Sequence, residues 1–297
     1  MRLSRRFDWT ARTFVMGILN VTPDSFSGDG LQASGDADIV ARAVAQARGF
    51  VESGVDILDV GAESTRPGAE ILGAAAETAR LLPVITGVRA QFPDIPISVD
   101  TYRASVAAAA LDAGADMIND VWGFRADPEM AGLAATRGAP VILMHNRSTP
   151  GDAEIDTRLG GVYRGAQYDD FLAEIVAELR ALADDAIAAG VDREQIILDP
   201  GLGFGKSVAQ NLTLMNNLDA IVALGYPVLM GPSRKSFIGR VLDLPVDQRL
   251  EGTAAAVTLC ITRGANIVRV HDVTAMTRVA AMTDAMLRAA PTQRHLK

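Results

Sequence analysis

The stretch AGADMIND, residues 113–120, carries two signals that together set the architecture. Gly114 stands after a run of helix-forming residues, where glycine accepts the left-handed backbone that stops a helix. The apolar pair Met117–Ile118 follows and ends on the polar Asn119. The stop recurs as SGVD at Ser53, RGAP at Arg137, AGVD at Ala189, LGYP at Leu224 and RGAN at Arg263. Six of seven helix-to-strand crossings use it; the exception, before the third strand, has Pro93 and Pro96 instead. Ahead of the glycines, Ile39–Glu52, Ala104–Leu111, Phe171–Ala188 and Ala254–Thr262 repeat apolar residues at three- and four-residue spacing, which predicts helices.

The second signal recurs as well. Phe14–Leu19 ends at Asn20, Ile97–Val99 at Asp100, Val141–Met144 at His145, Ile196–Leu198 at Asp199 and Ile267–Val270 at His271. Ile57–Val60 and Val228–Met230 lead into AESTRPG and GPSRKS. Short buried strands alternating with helices give a parallel sheet with right-handed crossovers. Eight such units predict a single (β/α)8 TIM barrel, with the active site at the C-terminal face where all eight strand ends meet. A doubly wound open sheet competes, but its GxGxxG after the first strand is missing from Gly17-Ile18-Leu19-Asn20. Without a linker or composition break, residues 1–297 read as one domain, with flexible termini at about 1–12 and 291–297. His295 in the tail reads as a solvated surface residue.

A hydrophobic content of 49% supplies a sizeable core, and a formal charge of −8 argues against nonspecific nucleic-acid or anionic-membrane binding. The single cysteine, Cys260, excludes an internal disulfide and a multi-cysteine metal site, and its apolar helical surroundings read as core. The chain holds no run of the ~20 apolar residues a membrane span needs. MRLSRRFDWT lacks the apolar region of a secretion signal, so a cytoplasmic protein is expected.

Several strand ends carry candidate chemistry. The loop Gly17–Gly30 is longer than a simple βα turn requires. Asn20 at its start is either a ligand for a hard cation such as Mg²⁺ or a turn cap. In Ala62–Glu70, Arg66 precedes Pro67-Gly68, a guanidinium on a restricted turn or a solvated arginine. Asp100, Asn119 and Asp199 either cap the helices that follow or converge to bind a ligand rich in N–H donors. DPGLGFGKS, residues 199–207, has Pro200 where a Walker loop needs glycine, leaving a tight loop that presents Phe204 and Lys206. GPSRKS places Arg234 and Lys235 after the seventh strand, where barrels bind phosphate. Strand alternation puts Arg269 and His271 on one face and Val268 and Val270 on the other. A buried arginine calls for an anion. His145 reads as a supporting residue behind the site.

In order along the chain, MGILNVTPDSFS, ESTRPG, SVDTYR, MINDVWG, DPGLGFGK, SRKSFIG and RVHDV resemble the dihydropteroate synthase family over roughly residues 14 to 273. The resemblance implies a (β/α)8 barrel and transfer of a dihydropterinylmethyl group from 6-hydroxymethyl-7,8-dihydropterin diphosphate to 4-aminobenzoate, with release of diphosphate. It implies a pterin pocket at Asp100, Asn119, Asp199 and Lys235, and a diphosphate and Mg²⁺ site at Asn20, Arg269 and His271. It further implies an aminobenzoate site at Thr65, Arg66 and Pro67 with Phe204 and Ser236. Lys235, Arg269, His271 and Asp100 are the catalytic candidates, and a homodimer is expected. One departure stands in the first loop, where the family reads SFSDGG and this chain places Asp29 one position later. The rival readings are a pterin-binding methyltransferase, a barrel aldolase with Lys235 as Schiff base, and a non-catalytic pterin-binding paralogue.

Overall fold

The computed structural model describes residues 1–21, 36–63, 72–148, 153, 154, 156 and 158–289. Eight strands form one parallel sheet: β1 (Phe14–Asn20), β2 (Ile57–Gly61), β3 (Ile97–Asp100), β4 (Met117–Asp120), β5 (Val141–Met144), β8 (Ile196–Asp199), β9 (Leu229–Met230) and β10 (Ile267–Val270). Their spatial order is β8-β5-β4-β3-β2-β1-β10-β9. A parallel bridge from Leu198 to Val228 joins the two ends, and the Leu198 N–H donates to the Pro227 carbonyl at 2.9 Å. The sheet is therefore a closed barrel. Strands β6 (Ala153–Glu154) and β7 (Val162–Tyr163) form a separate antiparallel hairpin between β5 and β8.

Helices lie between the strands: α2 (Asp36–Glu52), α3 (Ala74–Gln91), α4 (Ala104–Asp112), α5 (Met130–Arg137), α6 (Phe171–Ala188), α7 (Val208–Asn216), α8 (Asp219–Val222), α9 (Ser236–Leu242), α10 (Leu250–Thr262) and α11 (Val273–Arg288). The glycine stops behave as the sequence predicts. Gly54, Gly114, Gly138, Gly190, Gly225 and Gly264 all have positive φ, between 58° and 113°. An L-residue in that region is strained, so glycine ends the helix at little cost.

Side chains alternate along the strands and divide the core in two. Val15, Leu58, Val99, Ile118, Leu143, Leu198, Val268 and Val270 point outward into the layer shared with the helices. Met16, Ile57, Met117, Ile142, Ile197, Leu229 and Ile267 point inward and form an apolar floor inside the barrel. The N-terminal segment closes that floor from below. It was expected to be a flexible terminus; instead α1 (Leu3–Arg6) holds Leu3 fully buried and Phe7 packs beside it. Gln195 fixes the segment, accepting from the Leu3 N–H at 2.9 Å and donating to the Met1 carbonyl at 2.8 Å. Phe7 stacks on Trp9 at 5.1 Å between ring centroids and meets Phe14 edge-on at 4.9 Å. The segment is ordered because the barrel bottom would otherwise expose apolar side chains, each worth about 1.5–3 kcal/mol when buried. The tail 291–297 lies outside the described residues.

Candidate active site

One step of the pleat above the floor, the same inward faces change chemistry. Two residues beyond Ile57, Met117, Ile142, Ile197 and Ile267 stand Asp59, Asn119, Met144, Asp199 and Arg269. Asp100, at the end of β3, completes the layer. A cleft opens above it, lined by Asp100, Asn119, Asp199, Phe204, Lys235 and Arg269 together with Met144 and three further residues. The sequence candidates Asp100, Asn119, Asp199, Phe204, Lys235 and Arg269 thus share one cavity, although they come from five separate segments.

Arg269 organises this layer. Its Nε donates to Asp59 at 2.6 Å and its Nη2 to Asp100 at 2.6 Å. The anion that a buried arginine calls for is therefore supplied from within the barrel. Burial alone would favour a neutral guanidinium, but Asp59 and Asp100 outweigh it and hold Arg269 above its ordinary pKa. Asn119 completes the group, donating from Nδ2 to Asp59 at 3.2 Å. Asp59 is fully buried and was absent from the sequence candidates. The signal was a lone carboxylate at an inward position of the apolar run Ile57–Val60.

Burial raises the Asp100 carboxyl to about 7, with the Arg269 charge opposing and Asp59 adding to the rise. Asp199 is raised as well, chiefly by burial, against the Gly201 amide and the charges of Lys235 and Arg269. Its Oδ1 accepts from the Gly201 N–H at 2.7 Å. Neither Asp100 nor Asn119 caps a helix. The Ala104 N–H that opens α4 donates to Asp127 instead, and Asp120 accepts from Trp122 and Phe124 to form the turn after β4. The capping alternative is thereby removed for these two strand ends.

Lys235 leans over the Phe204 ring, with Nζ 4.1 Å from the centroid, an attractive cation–π geometry. Behind Phe204 lies Lys206, almost completely buried. Its Nζ donates to the carbonyls of Gly201 at 3.0 Å and Phe204 at 3.1 Å, and lies 3.1 Å from His145 Nδ1. Burial lowers Lys206 to about 7 and His145 to about 2. Burial thus favours the neutral imidazole of His145, whose Nδ1 faces the Lys206 Nζ. Its Nε2 stands 3.0 Å from Glu178, outside hydrogen-bonding angle.

The remaining candidates fall around the cleft. The His271 backbone N–H donates to the Ser233 hydroxyl oxygen at 3.1 Å, its Nδ1 lies 3.1 Å from the same oxygen, and His271 is not among the cleft-lining residues. Arg234, considered for an anion, is paired with Asp272. Ser236 is the first residue of α9. Thr65, Arg66, Pro67 and Asp29, with most of the two loops that carry them, lie outside the described residues. Asn20 is half-buried at the end of β1. Among the described residues no group of three or more His, Cys, Asp or Glu side chains could hold a metal ion. No helix of the described residues is long and apolar enough to cross a membrane.

Comparison with known proteins converges on one family. The family model described as "Pterin binding enzyme" matches residues 16–271. The dihydropteroate synthase of Bacillus subtilis is 48% identical over 276 residues, 93% of this chain and 89% of that protein. A crystal structure of the Clostridium difficile dihydropteroate synthase in the presence of pteroic acid superposes with a TM-score of 0.84 at 43% identity, covering 95% of this chain and 100% of that one. The Xanthomonas albilineans enzyme with 4-aminobenzoic acid gives 0.83 at 40% identity, covering 94% and 95%.

Proposed function

The chain belongs to the pterin binding enzyme family, among the dihydropteroate synthases, and on that premise we propose how its residues carry the transfer. The reaction joins 4-aminobenzoate to 6-hydroxymethyl-7,8-dihydropterin diphosphate. The bond from the pterin methylene carbon to the diphosphate oxygen breaks, and its electron pair leaves with diphosphate. The aromatic amine forms the new C–N bond and loses a proton. The observation that carries the assignment of roles is the single cleft bounded by Asp100, Asn119, Asp199, Lys235 and Arg269.

In this reading Asp199 accepts the amidine-like edge of the pterin, and Asn119 and Asp100 take its remaining polar groups. A pterin lacking those donors would leave buried acceptors unpaired, at about 1–3 kcal/mol each. Lys235 and Arg269 offset the negative charge of the bound substrate and of the developing leaving group. His271 follows directly after the strand that carries Arg269, on the side where diphosphate departs. Phe204, Ser236, Thr65, Arg66 and Pro67 receive 4-aminobenzoate. The electron-rich dihydropterin stabilises positive charge at its methylene carbon, so the protein contributes mainly positioning and electrostatics, with no covalent nucleophile.

Asn20 fits a magnesium ion that arrives with the substrate. Mg²⁺ takes one or two protein oxygens plus substrate phosphates, and a carboxamide oxygen at a strand end suits that arrangement. The ion would neutralise diphosphate charge. The chain forms one domain, supported by the single barrel sheet, and pairs as a homodimer, supported by the motif resemblance.

A diphosphate-release assay tests the proposal. Release should require 4-aminobenzoate; release that ignores the amine would overturn it. Against a pterin-binding methyltransferase stands the likeness to dihydropteroate synthases, 46–48% identical over 93–96% of this chain.

A further inference from the structure

The residue before Lys235 has an unusual backbone. Arg234 has φ +57°, the left-handed region that non-glycine residues rarely adopt. The chain around it is held at every available group. Its N–H donates to the Thr253 hydroxyl at 3.1 Å, and its carbonyl accepts from Arg249 Nη1 at 2.9 Å. Its guanidinium clasps both carboxylate oxygens of Asp272, with Nε at 2.9 Å from one of them. Thr253 and Arg249 are buried, so the anchors themselves are fixed. One position earlier, Ser233 bonds His271. The loop after β9 and the end of β10 are thus joined residue by residue, 233 to 271 and 234 to 272.

Strained backbone persists only where its surroundings over-determine it. Here the consequence falls on the next residue, whose side chain enters the cleft above Phe204. We propose that Arg234 is a positioning residue: clasped by Asp272, it holds the turn that aims Lys235 into the cleft. Its guanidinium serves this clasp and does not receive the substrate anion. The inference deepens the proposed function, because it rests on Lys235 as a pterin and charge contact.

The test uses Arg234→Ala, Arg234→Gly and Asp272→Asn. Both Arg234 variants lose the clasp, but glycine adopts the left-handed turn freely. In steady-state kinetics Arg234→Ala should raise KM for the dihydropterin diphosphate about tenfold with a smaller change in kcat. Arg234→Gly should lie about fivefold nearer the unaltered protein, because only alanine retains the backbone strain. Asp272→Asn should shift KM in the same direction as Arg234→Ala.

A readout independent of activity comes from the lysines, of which the chain has three: Lys206, Lys235 and Lys297. Brief acylation followed by mass spectrometry should show altered Lys235 labelling in Arg234→Ala and Asp272→Asn, with Lys297 as reference. Labelling of the buried Lys206 would report an unfolded variant, in which case Asp272→Asn decides. Equal behaviour of the alanine and glycine variants, or unchanged Lys235 labelling in Asp272→Asn, would overturn the inference. If the unaltered protein performs no transfer, the proposed function fails, while the labelling still judges the role of Arg234.

Discussion

Arg269 holds Asp59 and Asp100 on two different nitrogens at the same 2.6 Å, so one guanidinium from the last strand unites the second and third. Asp59 is fully buried with its charge matched by this arginine and by the Asn119 amide. Asp59→Asn should remove about 3 kcal/mol of stability, the scale on which a broken buried ion pair costs more than it contributed when intact. Urea unfolding measures it. A loss under about 0.5 kcal/mol would mean that the pair is solvated in practice.

Asp100 gives a pH dependence of definite sign. Its carboxyl is raised to about 7 from 3.8, so the folded protein binds a proton there that the unfolded chain has released. The stabilisation linked to that proton is full below pH 4 and is lost as the pH rises through 7. Binding runs the other way, because a carboxylate that accepts pterin N–H groups must be ionised. The affinity for a dihydropterin should fall as the pH drops from 8 to 6, and Asp100→Asn should flatten that slope. Calorimetric titration across this range checks it, and a variant with the same slope would assign the titration elsewhere.

Lys206 titrates in the opposite sense. Burial lowers it from 10.5 to about 7, so between those values the unfolded chain holds a proton that the folded protein has lost. Stability should therefore gain a rising component from pH 7 toward 10. Lys206→Met removes that component. The difference between the two proteins in urea midpoint should narrow or widen steadily over this interval; a constant difference would show that Lys206 keeps its ordinary pKa.

Gly201 permits the approach of two loops. Its φ is +72°, and an added Cβ would lie 2.0 Å from the His145 carbonyl oxygen. Gly201→Ala should cost about 3 kcal/mol or more, combining backbone strain with an overpacked contact. It should also weaken ligand binding, since Asp199 Oδ1 is held by the Gly201 N–H. Thermal unfolding and pterin titration together read both effects, and an unshifted melting transition would contradict the geometry.

The barrel was legible because its signals are local. The six glycine stops and the polar residues ending each apolar run are written within a few residues of the positions they govern. The inward parity of Arg269 followed from alternation alone. Its partners did not, because Asp59 lies 210 residues away in sequence and looked like one polar residue inside an apolar run. Lys206 was seen only as part of a tight loop, since nothing nearby indicates that its ammonium turns inward to His145, 61 residues distant. The clasp of Arg234 by Asp272 joins two motifs that each read as independent. Tertiary contacts of this kind leave no period in the sequence.

The N-terminal segment shows the same limit and yields a contrast with the site. Four residues of helix and two apolar side chains produce no periodicity, and MRLSRRFDWT reads as a basic, frayed terminus. Leu3 is nonetheless fully buried against the floor formed by Met16, Ile57, Ile197 and their neighbours. Leu3→Ala should destabilise the protein by about 2–5 kcal/mol, the range for truncating a buried leucine. Because the floor lies on the inward face below the polar layer, KM for both substrates should stay within about twofold of the unaltered protein at temperatures where the variant is folded. Urea unfolding paired with steady-state kinetics separates the two effects. A large rise in KM with stability unchanged would mean that this segment acts on the cleft and does not serve as the base of the barrel.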